Sequence, residues 1–383
     1  MRFSVDAHAI GRHLTGNEVY VRNLLAGFAS LDHDSEFITY VSTDAASLWV
    51  PERFPFRRVA GNPFLRLGCD LSRQLRQDRP DLVHVQYTAP LGCPVPAVVT
   101  VHDVSFLEHP EYFPFTRAIQ LQLTVRRTVG KAARILTGSE FSRSSIAKAY
   151  PQAGDRIVVV PNAAAPEFRP IQREHARQVV EARFGLQTPY VLSVGDLQPR
   201  KNQIGLIRAF SSLMRAQPQL RHDLVLAGKN TWFGPRVREA AAQSGLAGRI
   251  RFPGFVTDDD LLYLYNACDV FVFPSFYEGF GLPLLEAMAC GRAVACSDTS
   301  AMPEVADGAA ILFDPSSVDQ MARAMGDLLL DADLRTRMER LGLQRSKDFS
   351  WQKTAQKTLD IYYEVAGANG HARAKAKPAQ AVR

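Results

Sequence analysis

Short runs of apolar, mostly β-branched residues alternate with longer amphipathic stretches along most of this chain. That alternation restricts the fold more than any other feature. The short runs are RFSVDA, EFITYVS, DLVHV, AVVTV, RILTGS and RIVVV, then, after a break, YVLSVGD, HDLVLAG, RIRFPG, VFVFPS, AVACSD and AAILFD. Between many of them lie stretches such as VYVRNLLAGFASL and LIRAFSSLMRAQ, which carry apolar residues at helical spacing. Apolar strands joined by helices read as parallel sheets covered on both faces. The series runs twice, and 383 residues suffice for two domains of about 150 residues or more. The expected fold class is α/β, with two Rossmann-like doubly wound parallel-sheet domains facing across a cleft. Such sheets take ligands beyond the carboxyl ends of their strands, so the loops after the strands are where chemistry belongs.

The break between the two series, PNAAAPEFRPIQREHARQVVEARFGLQTP, is rich in proline and charge and reads as a linker carrying a helix. The expected domains are therefore 1–185 and 186–350. The tail from 367 to 383 is small, polar and basic, and reads as disordered.

Composition narrows the class. Hydrophobic residues make up 46% and charged residues 22%, an ordinary globular balance. Five cysteines, an odd number without a C-x-x-C pair, argue against a disulfide framework or structural zinc and favour the cytoplasm. The opening MRFSVDAHAI lacks the apolar core of a secretory signal, and no run of roughly 18 apolar residues occurs. A net charge of +6 suits a phosphorylated ligand, an anionic membrane or nucleic acid alike. Basic residues are dispersed and no nucleic-acid recognition module is present, which argues against nucleic acid. No G-x-G-x-x-G follows the first strand, which argues against a nicotinamide enzyme. No His/Asp/Glu cluster has convincing metal spacing.

Chemistry concentrates in SFYEGFGLPLLEAM, Ser275 to Met288. VFVFPS reads as a buried strand, EGFG as a turn and LPLLEAMA as a helix with Pro283 in its first turn. Unpaired N–H groups and the dipole at a helix start favour an anion, and glycines at 279 and 281 let a ligand approach the backbone. Glu278 on the loop and Glu286 in the helix are placed to grip hydroxyl groups on either side of such an anion. A nucleotide-diphosphate sugar has that form. The strand YVLSVGD leads in the same way into LQPRKN, which sets Arg200 and Lys201 at a strand end. Breaking a sugar–phosphate bond leaves charge on a diphosphate that fixed cations stabilise.

These residues carry a resemblance. SVGDLQPRKNQIGLIRAF, LVLAGK, FPGFVTDDDLLYLYNACDVFVFPSFYEGFGLPLLEAMACGRAVACSDTSAMPEV and FSWQKTAQKTLDIYYEV resemble the retaining glycosyltransferases of the GT-B fold known as family 4. VHDVSF, TGSEFSRSSIAK and VVVPNA extend the likeness, more weakly, into the first half. The resemblance implies that Glu278 contacts the donor sugar, that Glu286 contacts the ribose, and that Gly279, Phe280, Gly281 and Leu282 line the sugar and diphosphate. It implies that Arg200 and Lys201 neutralise the diphosphate without a metal cofactor. His102, after AVVTV, matches a position that meets the donor sugar. Gly11 and Gly16, in the loop after the first strand, match glycines that approach diphosphate or acceptor. Residues 351–366 resemble a closing helix that crosses back onto the first domain.

The implied reaction moves a hexose, mannose by likeness to bacterial polysaccharide mannosyl- and rhamnosyltransferases, to a hydroxyl of a glycan or lipid-linked saccharide. FTRAIQLQLTVRRTVGKAARIL, with Arg117, Arg126, Arg127, Lys131 and Arg134, is a candidate helix for an anionic membrane surface, which would make the protein peripheral at the inner face. A non-catalytic nucleotide-sugar sensor and a nucleotide-sugar epimerase of the same fold remain as rival readings.

Overall fold

The computed structural model describes residues 1–12 and 15–375. They form two compact units, one made of Met1–Asn162 with the segment that begins at Trp351, the other of Ala163–Ser350.

The first unit holds a sheet of seven strands: β1 (Arg2–Asp6), β2 (Glu36–Val41), β3 (Phe56–Arg58), β4 (Leu82–Gln86), β5 (Ala97–Thr100), β6 (Arg134–Thr137) and β7 (Ile157–Val159). Their order is β3-β2-β1-β4-β5-β6-β7, and every neighbouring pair is parallel. The second unit holds β8 (Tyr190–Val194), β9 (Asp223–Ala227), β10 (Ile250–Gly254), β11 (Val270–Phe273), β12 (Ala293–Ser297) and β13 (Ile311–Phe313). Their order is β10-β9-β8-β11-β12-β13, again all parallel. Both units are thus doubly wound, as the alternation predicts. Strand order reverses between β1 and β4 in one sheet and between β8 and β11 in the other. Those are the two places where such sheets open a crevice for a ligand.

The apolar runs become strands because both sheet faces are covered. Every residue of β4, β9 and β12 is buried. All three residues of β3, FRR, are exposed, and this edge strand has no apolar signal to betray it.

The boundary between the units falls at 162/163, not near 186. Ala165, Phe168, Ala176 and Val180 share a core with Tyr190, Tyr265 and Phe271 of the second unit. The helix Arg173–Phe184 lies against the helix Asp258–Ala267, and Ile171 N–H donates to Asn266 Oδ1 at 2.9 Å. Proline and charge on the outer side of this segment hide its apolar inner face from a composition reading.

The helix Trp351–Lys375 lies along the helix Thr15–Leu31 in the first unit. Gly27 makes the approach possible, since a Cβ there would come within 2.5 Å of the Ala355 Cβ. Trp351 and Tyr362 are buried packing residues. This helix continues past the expected end at 366, so residues 367–375 are helical where disorder was expected. Alanine, arginine and lysine in that stretch are good helix formers. Residues 376–383 of the expected tail lie outside the described residues.

Candidate functional site

The strand-order reversal in the second unit places the ends of β8 and β11 side by side. After β8 the chain makes a short 3₁₀ turn, Pro199–Lys201, before the helix Gln203–Ala216. Asn202 closes the turn in the left-handed region, φ 52°, and its Nδ2 donates to the Pro315 carbonyl at 2.8 Å. The turn is therefore held from both sides, and two consecutive cations project from a rigid frame.

Both cations meet the loop after β11. Arg200 Nη1 lies 2.7 Å from Glu278 Oε2 and also donates to the Tyr277 carbonyl at 2.7 Å. Lys201 Nζ donates to Glu278 Oε1 at 2.6 Å and stands 4.8 Å above the centre of the Phe273 ring. The loop backbones join as well, Phe276 N–H donating to the Arg200 carbonyl at 2.8 Å. A third loop, after β12, supports the backbone of Glu278. Glu278 N–H donates to Ser300 Oγ at 3.0 Å, and Ser300 holds φ 54°.

Glu278 is only 7% exposed. Burial alone would raise its pKa, but Arg200 and Lys201 outweigh it and hold the carboxyl at about 2. Burial pulls the Lys201 ammonium downward against the attraction of Glu278. The asymmetry is physical: the carboxylate faces two cations, whereas Lys201 has the like charge of Arg200 beside it.

The helix Leu282–Ala289 begins immediately after this loop, with Pro283 in its first turn. Gly281 precedes it at φ 98°, a conformation that side chains disfavour. Phe280 is buried, with its ring edge-on to Phe349 at 5.7 Å, and so anchors the turn. Gly279 and Gly281 belong to the same turn, and Leu282 opens the helix. Glu286, also buried, accepts a hydrogen bond from the Tyr265 hydroxyl at 2.8 Å. The structure thus brings Arg200, Lys201 and Glu278 together beside the glycine turn, with Glu286 in the helix that follows. Tyr265 and Ser300 escape a sequence reading, because nothing in LYLYNACD or SDTSAM marks either as a partner of a carboxylate loop.

His102 and Gly16 belong to the first unit. His102 follows β5 and lies edge-on to Tyr20 at 4.9 Å and to Tyr87 at 5.6 Å. Its Nε2 is 2.8 Å from Gln86 Oε1, while Gln86 Nε2 donates to the Asn17 carbonyl. The amide oxygen must therefore accept, and His102 Nε2 carries the hydrogen. Burial pushes the imidazole down to about 4, so it is neutral at physiological pH. Tyr87, at the end of β4, holds φ 60°, rare for a bulky residue.

Gly16 lies in the first turn of the helix Thr15–Leu31 rather than in the loop expected for it. Among the described residues, a Cβ there would meet nothing within 4 Å. Gly11 has an internal reason to be glycine. It sits at φ 74°, and a Cβ would come within 2.6 Å of Thr43 Oγ1.

The basic stretch forms the helix Phe115–Lys131. Arg127 bonds the Ala89 carbonyl, Arg134 pairs with Glu364, and Arg117 Nη1 donates to Gln120 Oε1 at 3.0 Å, so three of the five cations have partners within the unit. Arg117, Arg126 and Lys131 are exposed. The same helix exposes Phe115, Ile119 and Leu123, at 79%, 39% and 67%, in one row at i, i+4 and i+8.

Among the described residues no group of three or more His, Cys, Asp or Glu is placed to hold a metal ion. No described helix is long and apolar enough to cross a membrane.

Comparison with known proteins fits this arrangement. Residues 177–345 match the family described as Glycosyl transferases group 1, and residues 14–168 the family described as Glycosyltransferase Family 4. The O-antigen chain mannosyltransferase B of Escherichia coli is 36% identical over 266 residues, which cover 70% of each chain. The serotype-specific mannosyltransferase WbdA of Escherichia coli is 32% identical over 297 residues, covering 73% of this chain but only 36% of that protein. The chain therefore spans about a third of that longer relative. Among solved structures, Anabaena HepE in complex with UDP-glucose superposes with a TM-score of 0.76 at 19% identity, covering 95% of this chain and 100% of that one. At that identity the likeness speaks for the fold.

Proposed function

The chain belongs to the group 1 glycosyltransferases, of the GT-B fold, and from that premise we propose that it transfers mannose from a nucleotide-diphosphate donor, with retention, to a hydroxyl of a growing cell-surface glycan or lipid-linked saccharide. The observation that carries this reading is the carboxylate of Glu278 clasped by two cations at neighbouring strand ends. A diphosphate offers the same cations more oxygens and more charge, and would draw them from Glu278. The carboxylate so released accepts hydrogen bonds from sugar hydroxyls. Glu286, oriented by Tyr265, takes the ribose, and the backbone of Gly279, Phe280, Gly281 and Leu282 lies along the sugar and diphosphate.

Retention follows if the acceptor attacks the face from which the diphosphate departs. An oxygen of the leaving group then takes the acceptor's proton, and no protein nucleophile is required. Arg200, Lys201 and the N–H groups at the helix start stabilise the charge that develops. In this reading the two fixed cations do the work for which other transferases recruit a divalent ion. His102, a neutral donor–acceptor, orients the sugar, and Gly16 leaves room for substrate. The second unit holds the donor and the first receives the acceptor.

Mannose is supported by the two Escherichia coli relatives, both mannosyltransferases. A thermal-shift screen against GDP-, UDP-, dTDP- and ADP-sugars tests it. The mannose donor should raise stability most, by about 3 kcal/mol at a hundredfold excess over Kd. A larger shift from another sugar would rule mannose out. Assays of released nucleotide, with and without acceptor, separate transfer from mere sensing or epimerisation.

The exposed row Phe115, Ile119 and Leu123, flanked by Arg117, Arg126 and Lys131, supports peripheral attachment at the cytoplasmic face of a membrane. The protein should sediment with vesicles containing anionic lipid, and Leu123→Glu should weaken that several-fold. Equal sedimentation of the variant would remove this helix from the contact.

A further inference from the structure

The first unit has its own strand-order reversal, between β1 and β4, and it carries polar chemistry that the donor grip does not use. Asp6, the last residue of β1, is buried. It pairs with the guanidinium of Arg66, itself buried, through Oδ2 and Nη1. Arg66 arrives on a π-helical turn, Arg66–Asp70, a rare conformation often found at functional sites. Its Nε is buried without a partner. Two residues beyond Asp6, the His8 ring places Nδ1 3.1 Å from Asp6 Oδ1. Ser42 Oγ donates to the His8 carbonyl at 2.9 Å and fixes the backbone beneath the ring. The His8 side chain keeps 17% of its surface exposed.

For a neutral His8 ring the arrangement dictates the tautomer. Arg66 and His8 overcome the cost of burial and hold Asp6 well below the usual carboxylate range, so it is ionised and can only accept. The Nδ1 of His8 must then carry the hydrogen. In that neutral ring Nε2 is the acceptor, at the carboxyl edge of the sheet, where open α/β sheets take ligands. A buried ion pair is a costly way to fill a core. Here it serves to aim one imidazole.

We propose that His8 Nε2 accepts a hydrogen bond from a hydroxyl of the acceptor saccharide, with Asp6 and Arg66 as the positioning pair that fixes the ring. The hydroxyl bound is a neighbour of the one that attacks, because the attacking group's hydrogen is needed by the leaving diphosphate. The proposal rests on the glycosyl-transfer reading and adds an acceptor subsite to it.

The test uses the full chain, GDP-mannose as donor and a mannose-terminated trisaccharide as acceptor. His8→Phe keeps the ring shape and removes the acceptor atom. It should raise the acceptor KM about tenfold, the worth of one hydrogen bond, while the donor KM and acceptor-free donor hydrolysis stay unchanged. His8→Gln, whose amide oxygen reaches a similar place, should recover most of the loss. Long-range ¹⁵N–¹H spectra of the wild type should show the Nδ1–H tautomer at His8. An unchanged acceptor KM in His8→Phe, equal effects on donor and acceptor, or an Nε2–H tautomer each overturns the proposal alone. A wild-type protein that releases no nucleotide from any donor overturns the transfer reading, and this proposal with it.

Discussion

Lys201→Ala lowers turnover by about two to three orders of magnitude, the usual cost of removing one preorganised group that stabilises transition-state charge. Lys201 is half of the cation pair on Glu278, 2.6 Å from Oε1, and its rigid 3₁₀ turn survives truncation because Asn202 and the Arg200 contacts hold it. Released nucleotide measures the rate, and circular dichroism checks the fold. Lys201→Arg should recover only part of the loss, since a planar guanidinium cannot occupy the place of an ammonium over the Phe273 ring without shifting the turn. Near-normal turnover in Lys201→Ala would defeat the electrostatic mechanism.

Glu278→Gln removes an acid-sensitive component of stability. The Glu278 carboxyl is held at about 2 against an ordinary 4.5. A depressed carboxyl stabilises the fold fully above its unfolded pKa and loses that contribution as pH falls toward its folded one. The window is therefore roughly pH 4.5 down to 2, and the contribution is about 3 kcal/mol at neutral pH. Urea unfolding should find the variant less stable than wild type at pH 7 and the two converging as pH falls to about 2. Parallel curves across that range would show that Glu278 is not held by the cations. Because Arg200 and Lys201 lose the anion they share, the same variant should also misplace both groups and bind donor more weakly.

Much of the fold is legible in the sequence for one reason. Strands buried on both faces must be apolar at nearly every position, and RFSVDA or VFVFPS can be little else. The exposed edge β3 has no such obligation and leaves no trace. The segment 163–185 misleads because its few inward residues, Ala176 and Val180 among them, are outnumbered by the solvated ones. At the site, Arg200, Lys201, Glu278 and Glu286 are visible because each lies at a strand end or helix start, where position alone suggests a role. That Glu278 binds both cations at once is a fact of three dimensions, set by β8 and β11 being neighbours. Tyr265, Ser300 and Gln86 act only through partners distant in sequence. His8 has a local signal, a histidine two residues after a strand-ending aspartate, but its meaning depends on Arg66, 60 positions from that aspartate.

The chain's connectivity also has a temporal side. The helix Trp351–Lys375 belongs to the unit that begins at Met1, yet it is encoded after all of Ala163–Ser350. On the ribosome, the early half must wait, with the Gly27 face of its first long helix uncovered, while the later half is synthesised and is free to fold. Birth order and completion order are thus inverted, and the piece made first is the last to be sealed.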